Sequence, residues 1–191
     1  MPAEPRALRT LRLPLDTDRL RLRELGAADA EDFAALYANH RNTRYLLAGP
    51  GDAEGARLHL ERALGRQRAP RRDTWELAIE LRATGRLVGA CDLLLHSREE
   101  AEIGYVVSHD HWHQGLGTEA ATALVREAFE GLRVERVLAT VEIHNAHSIR
   151  VLDKAGLRWE GTLRRYARAK RRWWDVHLSA VTREDWLTAR H

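Results

Sequence analysis

A mixed α/β domain, with helices interleaved among strands and an antiparallel front half, is the architecture this chain spells out. Short runs in which apolar residues alternate every second position recur between longer stretches with apolar residues at three- and four-residue steps. Two such runs, 74–81 and 87–95, are separated only by a short turn containing Ala83-Thr84-Gly85-Arg86 and read as a hairpin. A third, 101–108, leads through a polar connector into a glycine turn, an amphipathic helix and a further strand at 136–143. A strand–helix–strand unit of this kind sets its two strands parallel.

The elements follow in order. Thr17-Asp18-Arg19-Leu20-Arg21-Leu22-Arg23-Glu24-Leu25 alternates apolar and charged residues, as a half-exposed first strand does. Residues 27–37, carrying Phe33 and Leu36, read as a helix, and a polar connector with Arg41, Arg44 and Tyr45 follows. Pro50-Gly51 marks a break, and a second helix is predicted over about 52–67, ahead of Pro70. In 101–108, Ile103, Tyr105 and Val107 alternate against Glu102, Gly104 and Val106. The helix after the glycine turn shows one apolar stripe of Ala121, Leu124, Val125, Ala128, Phe129 and Leu132. Asn145 is placed to cap a short helix over 146–155 closed by Gly156, and strands near 157–167 and 172–182 finish the sheet.

The 191 residues suit one domain, with 1–16 expected as a flexible or peripheral segment, and no Gly/Ser-rich or Pro-rich linker divides the chain. No apolar run reaches the length of a bilayer span, and residues 1–16 lack a secretory pattern, so a cytoplasmic protein without membrane contact is expected. The single Cys91 lies inside the apolar run Leu87-Val88-Gly89-Ala90-Cys91-Asp92-Leu93-Leu94-Leu95 and is expected to pack as a small hydrophobe. A formal charge of +3, from 31 basic and 28 acidic residues, decides little about partners. Local clustering says more: 164–174 interleaves Arg164, Arg165, Arg168, Lys170, Arg171 and Arg172 with Tyr166, Trp173 and Trp174.

The strongest chemical signal is Trp112-His113-Gln114-Gly115-Leu116-Gly117-Thr118-Glu119-Ala120. A helix start leaves several N–H groups without intrahelical partners and carries partial positive charge, so it receives an anion without a cationic side chain. Glycines let that backbone approach phosphate oxygens. The stretch lacks both the Gly-Lys-Ser/Thr ending of a nucleotide-triphosphate loop and the three-glycine dinucleotide fingerprint, which points to a different phosphate-bearing cofactor.

With that order of elements in hand, the chain resembles the GCN5-related N-acetyltransferase (GNAT) superfamily, in particular its RimJ/RimL-like branch of ribosomal-protein N-acetyltransferases. The resemblance rests on Ala101-Glu102-Ile103-Gly104-Tyr105, then Gly115-Leu116-Gly117-Thr118-Glu119-Ala120, then Asn145-Ala146-His147-Ser148 with Lys154-Ala155-Gly156-Leu157 and Glu160-Gly161. It implies a twisted, mostly antiparallel sheet with helices on both faces and a central parallel pair, 101–108 and 136–143, splayed to hold acetyl-CoA. It further implies backbone contacts from Val106, Val107 and Ser108 to pantetheine, phosphate binding by Gln114, Gly115, Leu116, Gly117 and Thr118, and Asn145 on the cofactor's far side. A homodimer is common among such proteins. Many of them carry Arg or Gln where this chain has Trp112, a change that phosphate binding through backbone donors survives.

Acetyl transfer to an amine needs a proton acceptor for the nucleophile and a proton donor for the departing thiolate. Glu102 is the candidate base, acting through water, with Glu142 in reserve; a surface ion pair is the alternative for Glu102. Ser148, three residues after Asn145, is the candidate acid, because the position seven residues on, where other members carry Tyr, is Leu152. A hydroxyl bonded within its own helical turn is the alternative for Ser148. The position where some members carry a base after the second glycine motif is Ala167.

The acceptor is expected to be a protein or peptide N-terminal amine of ribosomal-protein type. Behind it stands a small amine such as a polyamine, amino acid or antibiotic, and last an RNA- or ribosome-binding module with a vestigial cofactor site. Nucleic acid is not the expected partner, since the 164–174 cluster falls across a turn where charge is ordinarily solvated. No metal is expected: His109, His111 and His113 sit on one connector and are read as lining the cofactor mouth. Acceptor choice is assigned to the connector 39–51 and the 164–174 turn.

Overall fold

The computed structural model describes residues 11–47 and 52–190. Its strands and helices are β1 (Leu15–Asp16), β2 (Leu20–Glu24), α1 (Ala30–Ala38), α2 (His40–Thr43), α3 (Ala53–Gln67), β3 (Thr74–Leu81), β4 (Arg86–Leu95), β5 (Glu100–Val107), α4 (Leu116–Glu130), β6 (Arg136–Glu142), α5 (Ala146–Lys154), β7 (Arg158–Ala169), β8 (Arg172–Thr182) and α6 (Arg183–Thr188). Residues 1–10 of the N-terminal segment and 48–51 of the 39–51 connector lie outside the described residues. Residues 11–16 pack in: Leu11 and Leu15 belong to the main core, and β1 pairs with β2.

The sheet has the order β1-β2-β3-β4-β5-β6-β8-β7. Every neighbouring pair is antiparallel except β5 and β6. One face carries α4: its fully buried Ala120, Leu124, Ala128 and Phe129 meet Leu77, Ile103, Val137 and Ala139 of the sheet. The other face carries α1 and α3, whose Phe33, Leu36, Tyr37, Ala56 and Leu60 cover Ala78, Ala90 and Val106. Strand alternation sorts side chains between these faces, so Trp75 and Leu77 point to α4 while Glu76 and Ala78 point to α1 and α3. Cys91 is buried on the α4 side, and that burial pushes its thiol well up.

Three short elements escape the periodicity. α2 has four residues and is capped by Asn39, whose side chain accepts from the Arg41 N–H. α6 has six, capped by Thr182 on the Asp185 N–H. β1 has two. The β7–β8 hairpin turns through Lys170 and Arg171, both at positive φ, so most of the basic 164–174 stretch lies on strands rather than in the turn. Among the described residues no helix is long and apolar enough to cross a membrane.

Candidate active site

β5 and β6 are joined by only three rungs, Glu100↔Arg136, Ala101↔Val137 and Glu102↔Leu138. Beyond them β5 stays with β4 as far as Val107, while β6 stays with β8 as far as Glu142. A wedge therefore opens between two strands that each have a partner only on the outer side. The Ser108 N–H donates to the Val88 carbonyl at 2.8 Å. Antiparallel alternation then turns the main-chain groups of Val106 and Ser108 toward β4 and those of Tyr105 and Val107 into the wedge. The Val107 carbonyl is taken by the indole N–H of Trp112 at 2.8 Å. What remains is a strand edge of the kind that an extended ligand completes by main-chain hydrogen bonds.

At the open end of the wedge stands the start of α4. Gly115 caps it at φ 79, a left-handed backbone that glycine adopts without strain. The first intrahelical bond runs from the Glu119 N–H to the Gly115 carbonyl at 3.1 Å, which leaves the N–H groups of Leu116, Gly117 and Thr118 without helical partners. The turn is anchored from the side. Glu119 accepts from Thr17 Oγ1 at 2.6 Å and from the Arg19 N–H and Nε at 2.8 Å each, and Arg19 also donates to the Gln114 carbonyl at 2.8 Å. Burial alone would raise the Glu119 carboxyl, but those hydrogen bonds hold it below the usual range.

A cavity of about 360 Å³ joins the wedge to this helix start. Val106, Val107, Gly115, Leu116, Gly117, Thr118, Asn145 and Ser148 all line it; Ser108, Gln114 and Glu102 do not. Asn145 spends Oδ1 on the Ser148 N–H at 3.2 Å, capping α5. No described group engages the Ser148 hydroxyl, while its carbonyl accepts from the Tyr105 hydroxyl at 3.4 Å. Burial pushes that phenol up to about 12. Around the mouth stand Arg41, Arg150 and Lys154. Arg41 meets His109 at 3.1 Å, Arg150 meets His147 at 3.0 Å, and the rings of His113 and His147 lie 5.0 Å apart. Positive charge and unpaired amides thus converge at one end, which fits a polyanionic linker. Among the described residues no three His, Cys, Asp or Glu side chains stand together in a metal-ligating group.

The α1/α3 face of the wedge is acidic. Glu102 sits at the last rung, where its Oε1 accepts from Thr140 Oγ1 at 3.1 Å and its Oε2 meets His96 Nε2 at 2.7 Å. Glu142 is buried at the end of β6 and holds the His144 N–H at 2.7 Å and Nδ1 at 2.8 Å. Glu76 meets His59 Nε2 at 2.6 Å and Arg66 Nε at 3.1 Å. Asp92, opposite Gly104, completes the group.

The cavity thus gathers Arg150, which no sequence pattern singles out, beside Tyr105, Arg41 and Lys154; Asp92, paired with Gly104 on the α1/α3 face of the sheet, stands outside its lining. Asp92 did leave a signal, being the one charge inside an apolar strand run. The meeting of the three cations left none, because they come from α2 and α5 and converge only in three dimensions.

Comparison with known proteins agrees with this geometry. The sequence pattern of the acetyltransferase (GNAT) domain matches residues 19–158. The N-acetyltransferase YoaA of Bacillus subtilis is 31% identical over 172 residues, which cover 88% of this chain and 96% of that one. The [ribosomal protein uS5]-alanine N-acetyltransferase of Escherichia coli is 31% identical over 88 residues, 46% of this chain and 45% of its own. Mycobacterium smegmatis RimJ, solved with CoA-disulfide, superposes with a TM-score of 0.76 at 24% identity, covering 87% of this chain and 83% of that one. With a splayed parallel pair, a helix start bare of side-chain obstruction and the domain pattern over most of its length, this chain belongs to the GNAT family and is an acetyl-CoA-dependent acetyltransferase.

Proposed function

We propose that the enzyme acetylates the N-terminal amine of a protein or peptide, of ribosomal-protein type, by direct attack within a ternary complex. The observation that carries this reading is the two-sided wedge. Its α4 end offers amides and cations to coenzyme A, and its α1/α3 face offers carboxylates to a cationic amine. In this reading the amides of residues 115–118 hold the pyrophosphate, and the free edge at Tyr105 and Val107 takes the pantetheine arm as an added strand. Val106 walls that path and Asn145 closes it with the amide left over from capping. The Ser148 hydroxyl protonates the departing thiolate, since it lines the cavity and has no described partner. Glu102 supplies negative charge where the strands part. The ribosomal-protein choice draws on the similarity to the uS5-alanine enzyme, an argument by association.

The test is a screen with labelled acetyl-CoA against N-terminal peptides of ribosomal proteins, polyamines and an unrelated RNA. Label on the α-amine of a peptide is the expected result. Label on polyamines alone moves the acceptor to the small-amine class, and salt-sensitive RNA binding without turnover removes the catalytic reading.

A further inference from the structure

Four carboxylates share the α1/α3 face near the wedge, and three of them have both oxygens engaged: Glu76 by His59 and Arg66, Glu102 by Thr140 and His96, Glu142 twice by His144. Asp92 differs. No hydrogen bond from a described residue reaches it, and its partly buried oxygens keep contact with solvent. Its place is specific as well. Asp92 pairs with Gly104, two residues past the last rung between β5 and β6, and a Cβ built on Gly104 would fall 2.6 Å from Asp92 Oδ1. The carboxylate therefore lies over bare strand backbone where the wedge begins. Any side chain at 104 would displace it.

Building on the amine-acceptor reading above, we infer that Asp92 binds the acceptor's ammonium and takes its proton, delivering a neutral amine to the wedge. One proton passes from the ammonium to the carboxylate. The nitrogen lone pair forms the C–N bond as the C–S bond of the thioester breaks, and the electron pair leaves on sulfur. The second N–H proton ends on that thiolate, by way of Ser148, and Asp92 returns its own to solvent. The sum is ammonium plus thioester giving amide, thiol and one proton.

Electrostatics suit the role. Burial, with Glu76 on β3 and Glu102 on β5 as like charges, pushes the Asp92 carboxyl up to about 6, while His59 on α3 pulls the other way. Tyr37 on α1 faces the same group, and the Asp92 charge helps raise its phenol. A base that titrates near the working pH both accepts and releases a proton readily. The same shift fixes a sign for stability. A carboxyl raised in the fold is penalised there once charged, so wild-type stability falls as pH climbs from about 4 through 6.

The experiment compares Asp92→Asn, Gly104→Ala and Glu102→Gln with wild type, using an N-terminal alanyl peptide. Asp92→Asn is expected to lose roughly a hundredfold in kcat/KM at pH 7.5, and the acid limb of the pH profile near 6 should vanish. Coenzyme A affinity by calorimetry should stay within about twofold, and the melting temperature should rise above pH 6 but not at pH 4. Gly104→Ala should lower kcat by pushing the carboxylate aside, again with coenzyme A binding intact. An Asp92→Asn enzyme that keeps wild-type kcat/KM and its acid limb, with both lost in Glu102→Gln, gives the base to Glu102 and ends the Asp92 assignment while the amine reading stands. Wild type that acetylates no amine at all ends both.

Discussion

The two ends of the wedge are made of different material. At the end proposed for the donor the groups on offer are main chain: the amides of Leu116, Gly117 and Thr118, and the free edge of β5. At the end proposed for the acceptor they are side chains on several elements, with Glu76, Asp92, Glu102 and Thr140 on four successive strands and His59 on α3. A main-chain site is fixed by the fold itself, so it is expected to survive changes in neighbouring side chains. A side-chain site can be rewritten by single substitutions that leave the sheet untouched. One scaffold can therefore keep its acetyl donor and change its acceptor.

The sharpest way to break this contrast is Gly117→Val. A Cβ at 117 meets Tyr105 Cε2 at 3.6 Å and Val151 Cγ2 at 3.7 Å, ordinary contact distances, so the backbone has room for a Cβ there, while the proposed phosphate path has none. Coenzyme A affinity should fall roughly a hundredfold with little change in melting temperature. Calorimetry showing normal affinity would remove the cradle. Ser148→Ala comes next: kcat should drop on the order of thirtyfold with coenzyme A affinity unchanged, and undiminished turnover would return that hydroxyl to a purely structural part.

Smaller still is Glu119→Ala. It takes away three hydrogen bonds that moor the α4 start to residues 17–19, at a cost of about 1–2 kcal/mol. The melting temperature should fall by roughly 3–6 °C and coenzyme A affinity by about fivefold, because the amides lose their fixed aim. Equal affinity despite the lower melting temperature would mean the turn holds its shape alone.

The same contrast explains what was legible in the sequence. The stripe on α4, the alternation on β5 and the glycines at 115 and 117 are local patterns, and they located the helix, the strand and the turn between them. The three-rung limit of the parallel pair is not local. It depends on β8 drawing β6 away along seven paired positions, among residues 34 to 46 apart in the chain. α2 and α6 have too few residues to show a period, although Asn39 and Thr182 carried the caps that mark them. On the acceptor face, Glu102 finds Thr140 across 38 residues and Glu76 finds His59 across 17, so the strand pattern gave each carboxylate a face but no partner. Hence the sequence could nominate Glu102 and had no means of telling that, of these four carboxylates, Asp92 is the one without a hydrogen bond from a described residue.

Trp112 is more than a stand-in for a charged residue. Its indole is pinned to Val107 in the cavity wall, with the His109 ring 4.9 Å away and the His147 ring 6.3 Å away. A fluorophore held there should change surroundings if the donor fills the cleft, and the part of the emission change lost in a Trp112→Phe protein, among the six tryptophans of the chain, would gauge donor occupancy without a label.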